Sequence, residues 1–358
     1  MRLANTMVLC ALLLGVGGCS ESPNVMYTDP VPDREGQRWP VWPKRPEVPR
    51  YVYAGELIGE ANFRPADGGT QSTGKKLFAW VVGLGLATSP QPVVLQRPQG
   101  GAADGAGRVY VTDVSRQAVF VFDERGGELL VWDRATPSKR FRAPIGVATL
   151  PGGEVLVADA ELGLVARLSP EGEPRGVLGE GRLKRPTGMA RDPVSGRVYV
   201  ADTRANSIQV FDPGGGFRTS FGQGGEEAGQ LNAPTYLAVA GDRVYVTDTL
   251  NSRIQVFDTE GRFLSSIGER GLYVGNLARP KGVAVSTEGL VYVVESYYDH
   301  LLIYDRDGQF MLPIGGTGRD PGEFYLPAGV WLDDRDRVYV ADMFNGRVAI
   351  FQFLGEAP

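Results

Sequence analysis

The stretch RVYVTDTLNSRIQVFDTEGRFLSSIGE, residues 243–269, contains three short apolar runs separated by turn residues. The runs are rich in Val, Tyr, Ile and Phe, which favour β-strands. Asp and Gly lie between the last two runs, where a hairpin turn needs a residue with positive φ. Together with the run TYLAVAG just before it, this stretch predicts four short antiparallel strands within about 45 residues.

The same pattern recurs along the chain, and an acid ends the second strand of every unit. These strand-end acids follow one another at intervals of 46, 43, 46, 47 and 47 residues: Asp113, Asp159, Asp202, Asp248, Glu295 and Asp342. A proline precedes each acid by 14 to 16 residues, and a large apolar residue precedes each proline by three: Leu95 and Pro98, Phe141 and Pro144, Leu183 and Pro186, Leu231 and Pro234, Leu277 and Pro280, Phe324 and Pro327. Six such units predict an all-β fold, a six-bladed β-propeller of four-stranded antiparallel blades.

The order of short motifs within each unit is Pro-x-Gly, an apolar strand, VYVAD, and then NSRIQVFD followed by Gly. This order resembles the NHL repeat, and the resemblance covers about residues 95–353. Units three, four and six match best, whereas unit two departs from the pattern and unit five has Glu295 as its acid. The resemblance implies an NHL-type six-bladed propeller in a bacterial lipoprotein.

The sixth unit ends after RVAIFQF, residues 347–353, and so lacks a fourth strand. The segment YAGELIGE, residues 53–60, ends as the fourth strand FLSSIGE of unit four does. We therefore expect a strand within residues 50–60 to close the propeller, since closure removes its last open strand edges. Residues 61–94 fit no blade and are predicted to be an insertion. Residues 75–85 are apolar on every side, which fits a strand or a short helix, and a helix packed against the propeller is the preferred interpretation.

The first residues have the pattern of a targeting segment. Arg2 precedes the apolar run MVLCALLLGVGG, which is too short to span a membrane as a helix. The following VGGCS resembles a lipobox, which implies that residues 1–18 are a lipoprotein signal peptide and that Cys19 carries lipid. An ordinary cleaved signal or a buried anchor is the alternative. Ser20, in place of Asp, implies the outer rather than the inner membrane, so we expect a lipid-anchored protein of the cell envelope, facing the periplasm or the cell surface.

Residues 19–49 contain seven prolines and no periodic apolar pattern, which favours an extended, proline-rich stalk between the lipid and the propeller. Trp39 and Trp42 within it are expected to dock on the propeller, with a position at the membrane surface as the alternative.

Composition excludes several kinds of site. The net charge of −5 provides no bulk positive field, and Lys and Arg are scattered along the chain, so nucleic acid is not an expected partner. The chain has one histidine, His300, and its two cysteines are Cys10 in the signal and Cys19. The residue after each repeat proline carries no carboxylate: Gln99, Ile145, Thr187, Thr235, Lys281 and Ala328. We therefore predict no metal site, no cofactor and no catalytic residue.

The strand-end acids could be catalytic groups, metal ligands or turn architecture. Each belongs to the second strand from the propeller axis, so acids on opposite blades lie far apart. A carboxylate at a strand end can accept backbone N–H bonds from the turn that follows. We therefore predict that Asp248 and its five counterparts have a structural role.

Departures from the repeat mark a candidate binding surface on the face where the second strands end, called here the top face. Five units have Gly after Pro-x, whereas unit four has Tyr236. Unit five brings Tyr297, Tyr298 and His300 to this face, and unit six adds Phe344. Amphipathic rings near an opening suit the recognition of a partner. In the alternative interpretation the rings pack on neighbouring loops and seal the channel.

These observations predict a binding or scaffolding propeller that is attached to the membrane through its lipid. Its partner would be an envelope or extracellular protein, a peptide or a glycan. Lipoproteins resembling this chain occur near multihaem cytochrome systems, and this resemblance adds such an assembly to the expected partners. The alternative is a metal-dependent propeller enzyme that resembles lactonases or lyases, for which bound metal and turnover of a ligand would be diagnostic.

Overall fold

The computed structural model describes residues 23–29, 39–66 and 92–355, which form β-strands joined by turns and three-residue 3-10 turns. Four strands precede the repeats: β1 (Asn24–Met26), β2 (Val41–Trp42), β3 (Tyr51–Leu57) and β4 (Phe63–Pro65). Within these ranges, no helix has the length and apolar character needed to cross a bilayer. The predicted Cys19 site and the predicted helix near residues 75–85 lie outside the described residues.

The repeats form antiparallel sheets in which the strands follow chain order from the inside of the propeller outward. Blade one contains β5 (Pro98–Ala103), β6 (Arg108–Asp113), β7 (Ala118–Asp123) and β8 (Glu128–Trp132). Blade two contains β9 (Pro144–Thr149), β10 (Val155–Asp159), β11 (Leu164–Leu168) and β12 (Pro174–Leu178). Blade three contains β13 (Pro186–Arg191), β14 (Val198–Asp202), β15 (Ser207–Phe211) and β16 (Phe217–Phe221).

The second half of the ring repeats this arrangement. Blade four contains β17 (Pro234–Ala240), β18 (Arg243–Asp248), β19 (Arg253–Asp258) and β20 (Phe263–Ile267). Blade five contains β21 (Pro280–Val285), β22 (Val291–Glu295), β23 (His300–Tyr304) and β24 (Phe310–Gly315). Blade six takes β25 (Pro327–Leu332), β26 (Arg337–Asp342) and β27 (Arg347–Phe353) from the end of the chain.

The six first strands form the inner ring, because each contacts the first strand of the next blade and β25 contacts β5. The hydrophobic core is divided into six clusters, and each cluster fills the space between two neighbouring blades. The apolar residue three positions before each proline is buried in this core. The predicted six-bladed propeller of four-stranded antiparallel blades is confirmed.

The glycine of Pro-x-Gly allows neighbouring inner strands to approach closely. A Cβ on Gly100 would lie 2.6 Å from the carbonyl oxygen of Ile145 in blade two, and a Cβ on Gly329 would lie 2.4 Å from that of Gln99 in blade one. Neither distance is compatible with a side chain, so the inner ring requires glycine at these positions.

An N-terminal strand closes the ring, as predicted. β3 pairs antiparallel with β27, from Val348 opposite Leu57 to Phe353 opposite Tyr51, and so supplies the fourth strand of blade six. The buried hydroxyl of Tyr51 lies 3.0 Å from that of Tyr292, which ties the closing strand to blade five. The two ends of the described chain are therefore joined in one sheet.

Residues 39–50, from the proline-rich segment, lie against blade six. β2 pairs with β3 and adds a fifth strand to this sheet. The Trp39 ring lies 5.5 Å from Tyr53, and the Trp42 ring lies 5.5 Å from Phe351. Both tryptophans dock on the propeller, as the sequence analysis expects. Further upstream, β1 pairs with β4.

Candidate functional site on the top face

The strand-end acids and the prolines lie at the same end of every blade, because each acid is the register partner of the proline in its own sheet. All six acids are buried. Their carboxylates accept N–H groups at 2.6–3.1 Å from the two residues before the proline. Both residues donate in blades one, two, three and five, and only the first of the two donates in blades four and six. We call these two-residue segments the proline loops: residues 96–97, 142–143, 184–185, 232–233, 278–279 and 325–326.

Asp248 shows how many hydrogen bonds a strand-end acid accepts. Its Oδ1 accepts the N–H of Asn232 at 2.6 Å, and its Oδ2 accepts bonds from the side chains of Asn251, Arg253 and Gln255 at 2.8–2.9 Å. A carboxylate with these partners has no free position for a substrate or a metal. The geometry therefore supports the structural interpretation of the strand-end acids.

The groups that donate hydrogen bonds to the strand-end acids differ in part from the expected ones. Backbone N–H groups of the turn after the acid donate to it in blades one, two and five, for example from Arg116 to Asp113 at 2.9 Å, whereas the turns of blades four and six donate from the side chains of Asn251 and Asn345. The proline loop, 16 or more residues upstream of each acid, is the partner that all six share. The constant spacing between proline and acid was the sequence signal for this contact.

The turn after each acid also reaches the neighbouring blade. The fourth residue after the acid has a positive φ in every blade, and it is Gln117, Gly163, Asn206, Ser252, Asp299 or Gly346. The Asn206 side chain accepts the Ala233 N–H at 2.9 Å, and that of Asp299 accepts the Leu326 N–H at 2.8 Å. These two bonds join the turn of one blade to the proline loop of the following blade.

Tyr236 crosses the channel instead of facing solvent. Its hydroxyl donates to the carbonyl oxygen of Gln99 at 2.9 Å, and this bond joins blade four to blade one on the opposite side of the ring. Burial raises the pKa of Tyr236, so the hydroxyl stays protonated and able to donate. The ring narrows the channel mouth, and it lies apart from the other predicted binding residues.

Tyr297, Tyr298 and His300 come together in one cavity of about 230 Å³. The two tyrosine rings lie 4.9 Å apart in an edge-to-face arrangement. The loop between blades four and five completes the wall with Leu272, Tyr273 and Val274, which are 83%, 84% and 59% exposed. We call these six residues the aromatic pocket. The sequence analysis did not identify residues 272–274 as part of the pocket, because they lie in a loop between blades and outside the motifs that were compared.

Phe344 lies in a separate stack. Its ring is 5.6 Å from that of Tyr325, and the Arg97 guanidinium lies 5.3 Å from its centre. Phe344 and Tyr325 are 47% and 43% exposed, so a cation and two rings are presented together at the junction of blades six and one.

The proline loops gather cations that look scattered in the sequence. Arg97, Arg142, Lys184, Arg185 and Arg279 occupy them and are exposed, and Lys281 follows one residue after Pro280. By contrast, Arg253 and Arg347 bond to buried strand-end acids. The proline-loop cations occupy equivalent positions of four blades, one, two, three and five, at the same end of the propeller.

Among the described residues, no group of three or more His, Cys, Asp or Glu side chains is arranged to hold a metal ion. The expectation of no metal and no cofactor stays a prediction, as does the expectation of no catalytic residue.

Comparison with known families agrees with this architecture. A family model described as "6-bladed beta-propeller" matches residues 276–356, and the NHL repeat model matches residues 183–211. The rat E3 ubiquitin-protein ligase NHLRC1 is 39% identical over 64 residues, which are 18% of this chain and 16% of the ligase.

Solved structures show the same fold at low identity. Virginiamycin B lyase from Staphylococcus aureus is 13% identical with a TM-score of 0.54, and the alignment covers 72% of this chain and 96% of the lyase. A gluconolactonase from Xanthomonas campestris is 17% identical with a TM-score of 0.55, and the alignment covers 72% of this chain and 86% of that enzyme. The similar proteins have different activities, so function is argued below from the residues of this chain. The chain is a six-bladed β-propeller, and its residues 183–211 match the NHL repeat.

Proposed function

We propose that this protein is a binding propeller of the cell envelope and that the aromatic pocket holds a segment of a partner protein. The observation that carries the proposal is the exposure of Leu272, Tyr273 and Tyr297, at 83%, 84% and 62%, around one cavity. Large apolar side chains rarely remain exposed around a concave site unless a partner covers them. Tyrosine adds a hydroxyl for hydrogen bonding at low cost in side-chain entropy.

The surrounding structure favours a preformed site. Glu295 fixes the start of the tyrosine turn by accepting the Tyr297 N–H at 2.8 Å, and it also accepts the N–H groups of Ala278 and Arg279. The loop wall is held by Asn276, whose side chain accepts the Tyr273 N–H at 3.2 Å. A partner would therefore lose little affinity to the ordering of this surface.

A photo-crosslinking amino acid at Tyr273 tests the proposal directly in the intact envelope of the source cell. We expect a discrete crosslinked species that is lost when Tyr297→Ser and Tyr298→Asn are introduced. The same probe at Val194, which is 89% exposed in the turn between β13 and β14, is the matched control. Equal crosslinking from the two positions, or a species that survives the double substitution, would contradict a binding role for the pocket.

The location at the envelope rests on Cys19 and has its own test. Cys19→Ser should yield an unprocessed or soluble protein when membranes are fractionated, because no lipid can be attached to serine at this position. Unchanged processing and membrane association would refute the lipid anchor and leave the pocket proposal untouched.

A further inference from the structure

Three cations lie where the inner strands of blades five and one begin on the top face: Arg279 and Lys281 on either side of Pro280, and Arg97 directly before Pro98. Lys281 lies between Pro280 and Gly282 at the start of β21 and is half-buried. In the part of the chain that the structure describes, its ammonium group has no hydrogen-bond acceptor and no acidic partner. Arg279 precedes it by two residues, and Arg97 reaches the mouth from blade one.

The electrostatics of the mouth are unfavourable without a counter-charge. Burial lowers the pKa of Lys281, and the positive charges of Arg279 and Arg97 lower it further. The nearest strand-end acid, Glu295, accepts backbone N–H groups of Ala278, Arg279 and Tyr297. A buried cation without a partner destabilises the folded state, and an incoming anion would remove this cost.

The mouth also provides polar groups that suit an oxyanion. The Gln99 side-chain amide donates to the sulfur of Met343 at 2.9 Å. A thioether is a weak acceptor, so the Gln99 amide can donate instead to a stronger acceptor such as an oxyanion. The Arg279 side chain donates to Ser296 Oγ at 3.2 Å, which places its guanidinium against the turn that carries Tyr297.

We propose that the channel mouth binds the carboxylate or phosphate group of a ligand, with Lys281, Arg97 and Arg279 supplying the positive charge. The whole chain carries a net charge of −5, so this cluster is a local exception on an acidic protein. The inference rests on the proposed function, because it assigns an anionic group to the partner that the aromatic pocket holds.

The test uses inorganic phosphate and succinate as the two probes at constant ionic strength. Trace acetylation of the folded protein with acetic anhydride, read by peptide mass spectrometry, reports how accessible each lysine amine is. Phosphate, succinate or both should slow the acetylation of Lys281. Lys139 is the internal control, since it is exposed and paired with Glu180 at 3.1 Å. Protection by phosphate alone identifies a phosphate group, protection by succinate alone a carboxylate, and protection by both an oxyanion site of broad selectivity.

Calorimetric titration of the effective probe gives the second readout. Lys281→Thr introduces the residue that blades three and four carry at this position, so the fold should tolerate it. We expect it to weaken binding roughly tenfold or more, the usual worth of a charge-assisted bond. Equal protection of Lys281 and Lys139, no protection by either probe, or unchanged binding by Lys281→Thr would overturn the anion site. A persistent crosslink at Tyr273 would then show that the pocket binds its partner without an anion contact.

Discussion

Arg347 should be the side chain on which closure of the propeller depends most strongly. Its Nε donates to Asp342 Oδ2 at 2.9 Å and its Nη1 to Glu56 Oε2 at 2.9 Å. Its Nη2 also donates to the carbonyl oxygens of Asp320 and Glu323. The guanidinium therefore connects the closing strand β3 to the rest of blade six through buried groups.

Blade four contains a matched control at the equivalent position. Arg253 makes the same Nε bond to Asp248 at 2.9 Å and the same two Nη2 bonds to loop carbonyl oxygens. It lacks a partner equivalent to Glu56, because the fourth strand of blade four has Ser266 at the corresponding register position. Comparison of Arg347→Ala with Arg253→Ala therefore isolates the bond to the closing strand.

The expected magnitudes follow from burial. Arg347→Ala leaves the buried carboxylates of Asp342 and Glu56 without their cation, which should cost about 3–5 kcal/mol in the free energy of unfolding. Arg253 is 19% exposed, and Asp248 keeps Asn251 and Gln255 as donors, so Arg253→Ala should cost about 1.5–3 kcal/mol. The centres of these two ranges differ by about 2 kcal/mol, and we assign this difference to the bond between Arg347 and Glu56 of the closing strand.

Equilibrium urea unfolding followed by tryptophan fluorescence measures both losses. A double-mutant cycle with Glu56→Gln should give a coupling energy of about 0.5–3 kcal/mol with Arg347. Burial raises the pKa of Asp342, although Arg347 opposes this shift. Protonation of Asp342 at acid pH removes both its attraction to Arg347 in the wild type and its unpaired charge in the variant, so the deficit of Arg347→Ala should narrow as the pH falls. Equal losses for the two arginine variants, or additive effects of Glu56→Gln and Arg347→Ala, would refute this account.

Three further predictions concern closure, the channel and acid stability. Deletion of residues 50–60 should abolish cooperative unfolding in calorimetry, since blade six would lose its fourth strand; an unchanged transition would contradict closure by β3. Tyr236→Phe should lower the unfolding free energy by about 0.5–1.5 kcal/mol because the carbonyl of Gln99 loses its donor, and a neutral result in urea titration would show that water replaces the hydroxyl. Burial alone would raise the pKa of Asp123, but bonds from the Gly126 N–H and Arg108 lower it overall. The stabilisation by ionised Asp123 should therefore be complete above about pH 4 and disappear at lower pH. Asp123→Asn should make the unfolding free energy fall less steeply as the pH is lowered below this value. An equally steep fall in the variant would assign the acid sensitivity to other carboxyls.

The sequence by itself determined the number of blades, the four strands in each and the closure by a strand near residue 55. These features follow from local patterns, namely the alternation of apolar residues, turn residues that accept positive φ and a repeated spacing. Departures from the repeat also indicated Tyr297, Tyr298 and His300, which one cavity brings together.

The tertiary structure alone decided which groups far apart in the chain form hydrogen bonds. Tyr236 and Gln99 are 137 residues apart, and Arg347 and Glu56 are 291 residues apart. Periodicity shows which positions are equivalent, but it does not show which side chains of different blades converge at the axis. The bond between Tyr236 and Gln99 and the shared position of Lys281 and Arg97 at the top ends of inner strands depend on that convergence, and so does the chemistry of the top face.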